Sequence, residues 1–223
     1  HPLDADAITR ATSVYFPRRV IPMLPEKISN GLCSLKPEVD RLCMVCDAVI
    51  DQQGDVKAYQ FYPAVMHSAQ RFTYNTVWEI LSNSNGPEAA RFRHLKKNLD
   101  RLYSLYKVLR SARDKRGAID FETTETQIIS NQLGKIERIE PRIRNDAHRL
   151  IEECMLAANV CAADFLEKNG HLALFRVHAE PSVEKLQTLR QVLRTAGLNL
   201  GGSEKPRPKD FAKLIEEIKP RPD

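Results

Sequence analysis

The stretch RLCMVCDAVIDQQGDVKAYQFYPAVM, residues 41–66, decides much of the fold of this chain. β-Branched and aromatic residues fill Arg41–Ile50 and Val56–Met66, which is the composition that strands favour. Between them lies Gly54 among polar residues, a combination that suits a tight reversal of the chain. The sequence therefore predicts a β-hairpin at this position.

Two long helices are predicted on the carboxyl-terminal side of this hairpin. The first runs from Glu88 to about Lys115, where apolar residues recur at alternating spacings of three and four. The second runs from about Asn145 to Lys168 and has many small residues on its apolar face. The residues predicted to face inward are Phe92, Leu95, Leu99, Leu102, Tyr106 and Leu109 on the first helix, and Ala147, Leu150, Ile151, Cys154, Ala158, Cys161 and Phe165 on the second.

The rest of the chain is predicted to alternate short elements with loops. Pro17, Pro22 and Pro25 predict an irregular, extended segment as far as Glu26. The other predicted elements are helix Leu3–Ala11, helix Thr76–Ser82, a second hairpin from Ala118–Phe121 and Gln127–Ile139, the latter interrupted by Asn131–Gly134, strand Ala173–His178, a helix between Pro181 and Gly197, and helix Asp210–Ile218. Strands and helices mix without a regular βαβ order. The predicted class is therefore α+β, with antiparallel hairpins packed with several long helices.

The composition is that of an ordinary folded protein. The 223 residues are 42% hydrophobic and 28% charged, which excludes disorder and coiled coil as descriptions of the whole chain. No run of about 18 apolar residues occurs, and the amino terminus lacks the basic start and apolar core of a secretion signal. We therefore expect no membrane-spanning segment. The first residue is His1 rather than Met, which suggests a piece of a longer protein.

Cysteine usage favours a reducing, cytoplasmic location. The five cysteines are an odd number without the spacing of a disulfide scaffold. Cys43 and Cys46 form a C-x-x-C motif, but no second Cys or His pair at zinc spacing accompanies it. We therefore interpret Leu42–Cys46 as a buried strand in which both thiols act as small apolar groups.

The common catalytic motifs are missing from the sequence. It contains no nucleophile elbow, no Walker loop, no dinucleotide-binding glycine pattern and no H-E-x-x-H motif. His148 and Glu152 lie four residues apart on the second long helix, a spacing that allows two side chains to reach one metal ion. A lone pair of this kind is more often an ordinary polar helix face. We therefore predict no metal ligands in this chain.

Positive charge and aromatic rings favour single-stranded nucleic acid as the partner. Lys and Arg exceed Asp and Glu by 34 to 29, and ten of them fall between residues 91 and 116. Arg18 and Arg19, which closely follow Tyr15, are predicted to bind RNA phosphates. A base stacked on a ring such as Tyr15, Tyr74 or Phe121 gains about 1–3 kcal/mol whatever its identity. A basic helix that only keeps the protein soluble explains the charge equally well, so both interpretations stay open.

Four motifs carry a resemblance to a known family. They are TSVYFPRRVIPMLPE at residues 12–26, RNDAHRLIEECMLAAN at 144–159, ALFRVH at 173–178 and KPRPKD at 205–210. These long, ungapped stretches resemble the catalytic RNB domain of the ribonuclease II family of processive 3′→5′ exoribonucleases. The likeness extends over nearly the whole chain.

The resemblance implies a reaction and a set of residue roles. In the family, single-stranded RNA threads a narrow channel, and two Mg²⁺ ions held by clustered aspartates activate a water that releases nucleoside 5′-monophosphates. Tyr15 is implied to close the base stack at the far end of the buried 3′ bases. Phe121 is implied to lie against the terminal base. Tyr74 and Glu152 are implied to position the last nucleotide, with Glu152 in a catalytic role.

The chain departs from the family pattern at both ends. The family's metal-binding aspartates precede the segment that begins here at His1, and its S-P-I-R-R-Y motif, whose Arg assists cleavage, follows after Asp223. Asp4 and Asp6 belong to a later helical stretch and are not substitutes. The cold-shock and S1 domains of the family are likewise not found in residues 1–223 and are expected on either side of them.

We therefore expect residues 1–223 to be a partial RNB domain, monomeric, without its own Mg²⁺ ligands and unable to cleave RNA alone. Two alternatives stay open: a non-catalytic RNA-binding module, and a core piece that has no activity by itself.

Overall fold

The computed structural model describes residues 1–119, 125–177 and 179–219, and it confirms the α+β class. In the described residues, three pairs of strands each form a separate two-stranded sheet: Val14–Tyr15 with Val20–Ile21, Asp40–Ile50 with Val56–His67, and Thr126–Ser130 with Ile136–Pro141. The first predicted hairpin is therefore present. The second is only partly right, because both of its strands lie in 126–141, while residues 118–119, the described part of Ala118–Phe121, form no strand. The elements are α1 (Pro2–Arg10), β1 (Val14–Tyr15), β2 (Val20–Ile21), a π-helical turn (Lys27–Leu32), β3 (Asp40–Ile50), β4 (Val56–His67), α2 (Tyr74–Ser82), α3 (Pro87–Arg91), α4 (Arg93–Arg116), β5 (Thr126–Ser130), β6 (Ile136–Pro141), α5 (Asp146–Lys168), α6 (Val183–Thr195) and α7 (Pro208–Ile218).

The described chain divides into two compact units, each with its own apolar cluster. The first unit takes in residues 1–48, 59–99 and 125–149, and the second takes in 49–58, 100–119, 150–177 and 179–219. The cluster of the first unit is built from Ile80, Ala89 and Phe92, with Phe72 and Leu99 packed against them. The cluster of the second unit is built from Leu186, Leu193, Leu200 and Leu214, with Leu198, Phe211 and Ile218 packed against them.

The tip of the β3–β4 hairpin packs closely on α4 within the second unit. Gly54 has a φ of 86°, in the left-handed region that favours glycine. A Cβ atom at Gly54 would lie 2.5 Å from the Cβ of Ala112 and 3.1 Å from the carbonyl oxygen of Val108. Glycine is therefore required here both by the turn and by the close approach of the helix.

Two predicted boundaries are wrong in detail, and each has a physical reason. The first long helix is interrupted at Phe92, whose φ of −106° and ψ of 29° leave the helical region. The break allows the Phe92 ring to pack edge-on against Phe72, with the ring centroids 4.8 Å apart. The segment around Pro17 is also not wholly irregular, because β1 and β2 pair with Tyr15 opposite Val20 while the proline occupies the connecting turn.

Two predictions about strands fail because burial and pairing depend on neighbours. Leu42–Cys46 was expected to be buried, but Leu42 is 83% exposed and both cysteines are only partly buried, since a two-stranded sheet leaves much of its surface open. Ala173–His178 was expected to be a strand. Its described part, residues 173–177, forms no strand, and its apolar side chains include exposed Leu174 and Val177.

A buried ion pair joins α4 and α5 within the second unit. Glu153 is only 4% exposed, and one of its carboxylate oxygens lies 2.8 Å from the Nη1 of Arg113. The same nitrogen lies 3.2 Å from Glu152. The predicted inward stripe of α5 is therefore partly wrong, because Glu153 is buried whereas Ile151 and Phe165 are exposed. Arg113, one of the ten basic residues between 91 and 116, is largely buried rather than part of a solvent-exposed basic surface.

Replacing Arg113 with Met is expected to lower the free energy of unfolding by about 3–5 kcal/mol, because the buried Glu153 carboxylate loses its countercharge. Urea unfolding at neutral pH measures the change. Adding Glu153→Met to the same variant removes the uncompensated charge and should restore much of the stability. An Arg113→Met protein as stable as the parent chain would contradict this role of the ion pair.

Candidate nucleic-acid interface

The β1–β2 hairpin of the first unit carries an exposed aromatic ring in its first strand and two arginines in its turn. Tyr15 is 77% exposed, and its backbone is held opposite Val20. Arg18 and Arg19 occupy the turn, which is closed by a 2.8 Å hydrogen bond from the Phe16 amide to the Arg19 carbonyl. A flat apolar ring next to guanidinium groups suits a nucleobase and its phosphate.

The guanidinium of Arg18 has a second hairpin as its neighbour. It lies against Gly134 in the turn between β5 and β6, where a larger residue would collide with it. The Arg18 side chain, which belongs to the β1–β2 hairpin, therefore lies against the turn of the β5–β6 hairpin of the same unit.

Tyr74 lies at a cleft of the first unit with a volume of about 760 Å³. The ring of Tyr74 stacks on the imidazole of His148, with centroids 4.1 Å apart and an angle of 22° between the planes. The cleft is lined by aromatic, amide and charged side chains, among them Trp78, Asn75, Asn145, Gln127, Glu140 and Arg142. A cleft with one stacked ring and several hydrogen-bonding groups can accept a planar, polar ligand.

Two helix starts place these rings. α2 begins at Tyr74, where Thr73 caps the helix by accepting a 3.2 Å hydrogen bond from the Thr76 amide. α5 begins at Asp146, where the Oδ1 of Asn145 accepts a 3.1 Å hydrogen bond from the Ala147 amide. The first turns of the two helices therefore carry the stacked pair.

The pKa of His148 lies below its ordinary value of 6.5. Burial is the largest cause, followed by the positive charges of Arg142 and Arg144, while the hydrogen bond with the Asn145 backbone and the charge of Glu125 act in the opposite direction. The imidazole is therefore neutral at neutral pH. Hydrogen bonds from Arg138 and Gln127 lower the pKa of Glu140, which keeps a carboxylate in the cleft.

Glu152 lies on α5 in the second unit, and its carboxylate is held 3.2 Å from the Nη1 of Arg113. The adjacent Cys154 has a raised pKa, chiefly through burial and also through the charge of Glu153, so it remains a neutral thiol. Among the residues that the structure describes, no three His, Cys, Asp or Glu side chains come together as a possible metal site.

The predicted site residues are therefore distributed over both units. Tyr15, Arg18, Arg19 and Tyr74 belong to the first unit, Glu152 belongs to the second, and Phe121 lies outside the described residues. Of the five that the structure describes, only Tyr74 lines the cleft. The structure also makes His148 a neighbour of Tyr74. The sequence indicated His148 only through its four-residue spacing from Glu152.

A sequence signal existed for two other members of the cleft. Asn145 directly precedes a strong helical pattern, as a helix-capping residue does. Trp78 lies four residues after Tyr74, a spacing that puts both on one face of α2.

The basic stretch 91–116, which includes the end of α3 and all of α4, is less uniformly positive at its surface than its ten basic residues indicated. Arg91 lies 3.6 Å from Glu88, and Arg110 lies 3.1 Å from Asp114. The ammonium group of Lys107 lies over the ring of Tyr103, 4.6 Å from its centroid.

In the described ranges, no helix is both long and apolar enough to cross a membrane.

The lowered pKa of His148 predicts a pH dependence of stability. Folding favours the neutral imidazole, so this contribution is fully present above pH 6.5 and decreases as the pH falls through the lower pKa of the folded state. The free energy of unfolding, measured by urea titration between neutral and mildly acidic pH, should fall less steeply in His148→Phe, which keeps an aromatic ring but cannot titrate. Identical slopes for the two proteins would contradict the assigned shift.

Comparisons with known proteins identify the family. The family model described as the RNB domain matches residues 1–223. Ribonuclease R of Escherichia coli (strain K12) is 52% identical over 222 residues, which is 100% of this chain but 27% of that protein. The chain thus spans about a quarter of the length of that curated relative.

Solved structures show the same fold. RNase R of Mycoplasma genitalium, in complex with ribose methylated single-stranded RNA, has a TM-score of 0.88 and 32% identity, covering 100% of this chain and 35% of that one. Yeast Ssd1, described as a pseudonuclease, shares the fold at a TM-score of 0.70 and 18% identity, over 98% of this chain and 26% of its own. The resemblance to the catalytic domain of bacterial ribonuclease R is therefore confirmed, and this chain belongs to the RNB domain family.

Proposed function

We propose that this chain is the RNA-guiding part of a processive 3′→5′ exoribonuclease that releases nucleoside 5′-monophosphates from single-stranded RNA. The observation that supports it best is the stacked pair of Tyr74 and His148 at a cleft lined by amides and Arg142. The similarity to ribonuclease R and the RNA-bound relative from Mycoplasma genitalium support the same substrate class.

In this proposal, the predicted residues have the roles that the family resemblance implies. The exposed ring of Tyr15 stacks on a base at the far end of the buried RNA, while Arg18 and Arg19 bind the neighbouring phosphates. Tyr74 contacts the last nucleotide. Glu152, whose carboxylate contacts Arg113, has the catalytic role that the family resemblance implies for it, the positioning of the last nucleotide. Phe121, which lies outside the described residues, is assigned to the terminal base by the same resemblance.

The described residues do not fit a metal site, so no step of hydrolysis is assigned to them. Two Mg²⁺ ions would activate water and stabilise charge on the phosphate. We propose that their ligands lie on other parts of the parent protein and that residues 1–223 are a partial RNB domain, inactive alone. A monomeric state and a reducing, cytoplasmic location belong to this proposal, and the odd number of five cysteines favours that location.

Binding of labelled single-stranded RNA is expected to weaken as salt increases, with log affinity falling linearly against log salt because phosphate contacts release counterions. Tyr15→Ala should weaken binding about 5- to 150-fold without changing this slope, because a stacking contact is lost and no charge is removed. Tyr15→Phe is the matched control and should bind like the parent chain. Fluorescence anisotropy over a salt series measures both quantities.

The combined variant Arg18→Ala, Arg19→Ala is expected to change the slope instead, by about 0.7 for each phosphate contact that is lost. RNA binding that is independent of salt would contradict the role of the cations. A changed slope in Tyr15→Ala would contradict the division of roles between the ring and the two arginines.

A cleavage assay distinguishes the proposed exoribonuclease from the alternative, a non-catalytic RNA-binding module. This chain, incubated with end-labelled single-stranded RNA and Mg²⁺, should release no mononucleotides, whereas the longer parent protein should release them. Thin-layer chromatography identifies the products. Robust digestion by this chain would refute the proposal that the metal ligands lie elsewhere, and a parent that binds RNA without degrading it would establish the binding module.

A further inference from the structure

Tyr74 is held at the cleft by a chain of contacts that returns to its own helix. His148 covers one side of the ring at a centroid distance of 4.1 Å. The Nδ1 of His148 lies 2.8 Å from the Oδ1 of Asn145. The Nδ2 of Asn145 donates a 3.2 Å hydrogen bond to the Oδ1 of Asn75, the residue that follows Tyr74 in α2. The contacts form a closed ring through the starts of α2 and α5.

Asn145 holds the imidazole of His148 through two contacts to the same ring nitrogen. The Nδ1 of His148 lies 2.8 Å from the Oδ1 of Asn145, to which a protonated Nδ1 donates. It also lies 3.3 Å from the Asn145 backbone nitrogen, from which an unprotonated Nδ1 accepts, so Asn145 offers a partner to either tautomer of the neutral ring. The orientation of the imidazole is thereby set by an amide that also caps α5 through the Ala147 amide.

A ring held in this way binds a flat ligand at a lower entropic cost. Tyr74 is 41% exposed, so an unsupported side chain could sample several rotamers. A base that stacks on a mobile ring must first immobilise it, which reduces the affinity. Since His148 occupies one face, only the remaining exposed part of the Tyr74 ring is available to a base.

We propose that His148 is a positioning residue for Tyr74, holding the tyrosine ring so that a base of single-stranded RNA stacks on its exposed side. The inference rests on the proposed function, because it requires Tyr74 to contact RNA. His148 itself makes no contact with the base. Its contribution to RNA affinity therefore depends on the presence of the Tyr74 ring, which a purely structural role at the start of α5 would not require.

A double-mutant cycle on RNA affinity tests this dependence. The probe is a fluorescein-labelled single-stranded oligoadenylate, and the readout is its dissociation constant from anisotropy. Tyr74→Ala is expected to weaken binding about 5- to 150-fold. His148→Ala should weaken it about 2- to 12-fold, the range expected for immobilising one side chain. The double variant should bind no more weakly than Tyr74→Ala alone.

Two controls separate positioning from folding. His148→Phe keeps a flat ring against Tyr74 and should bind within about twofold of the parent chain, whereas His148→Leu should bind like His148→Ala. Tyr15→Ala combined with His148→Ala should show multiplied effects, because Tyr15 lies on the β1–β2 hairpin and is not part of the contacts around Tyr74. Thermal melts establish that each variant is folded, and if His148→Ala is not, the Phe and Leu variants form the comparison.

The outcomes distinguish this inference from the proposed function. Multiplied effects of Tyr74→Ala and His148→Ala, or full affinity in the folded His148→Leu variant, would overturn the positioning role while leaving RNA binding by Tyr74 intact. If Tyr74→Ala itself binds as tightly as the parent chain, the role of Tyr74 in the proposed function is wrong, and the positioning role fails with it.

Discussion

The buried pair of Arg113 and Glu153 is the interaction on which the packing of α4 against α5 depends. Burying a carboxylate costs several kcal/mol unless a partner compensates the charge, and the guanidinium 2.8 Å away provides that compensation. This requirement restricts the rotation of both helices about their axes within the second unit. Because the same nitrogen also contacts Glu152, the ion pair that stabilises the unit also orients the one predicted catalytic carboxylate.

In the first unit, neutral hydrogen-bonding groups rather than an ion pair fix the positions of the functional side chains. Tyr74 and His148 lie in the first turns of α2 and α5, and each turn is fixed by a capping residue, Thr73 or Asn145. Asn145 caps its helix, orients His148 and reaches Asn75 at the same time. A side chain that satisfies several hydrogen-bonding groups at once leaves little freedom to the rings that it supports. The geometry of the cleft therefore follows from how two helices begin.

The helices and hairpins could be predicted from the sequence because their apolar patterns repeat over short distances. The burial of Glu153 and Arg113 could not be predicted. An apolar periodicity assigns charged residues to the solvent-facing side of a helix, and both residues are charged. The stack of Tyr74 on His148 joins positions far apart in the chain, so no local pattern indicates it. The segment 173–177 shows the opposite error, because its composition favours a strand but no described strand pairs with it.

Under the proposed function, the charges at the cleft indicate which part of the RNA would occupy it. Glu140 is kept ionised by Arg138 and Gln127, so an anionic phosphate beside it would be repelled. A neutral base carries no such penalty and gains from stacking on Tyr74. Arg142 and Arg144 are exposed and can attract the backbone from outside. The base would therefore occupy the cleft while its phosphate stays at the basic margin, and since no charge on the base is required, the cleft would accept any of the four.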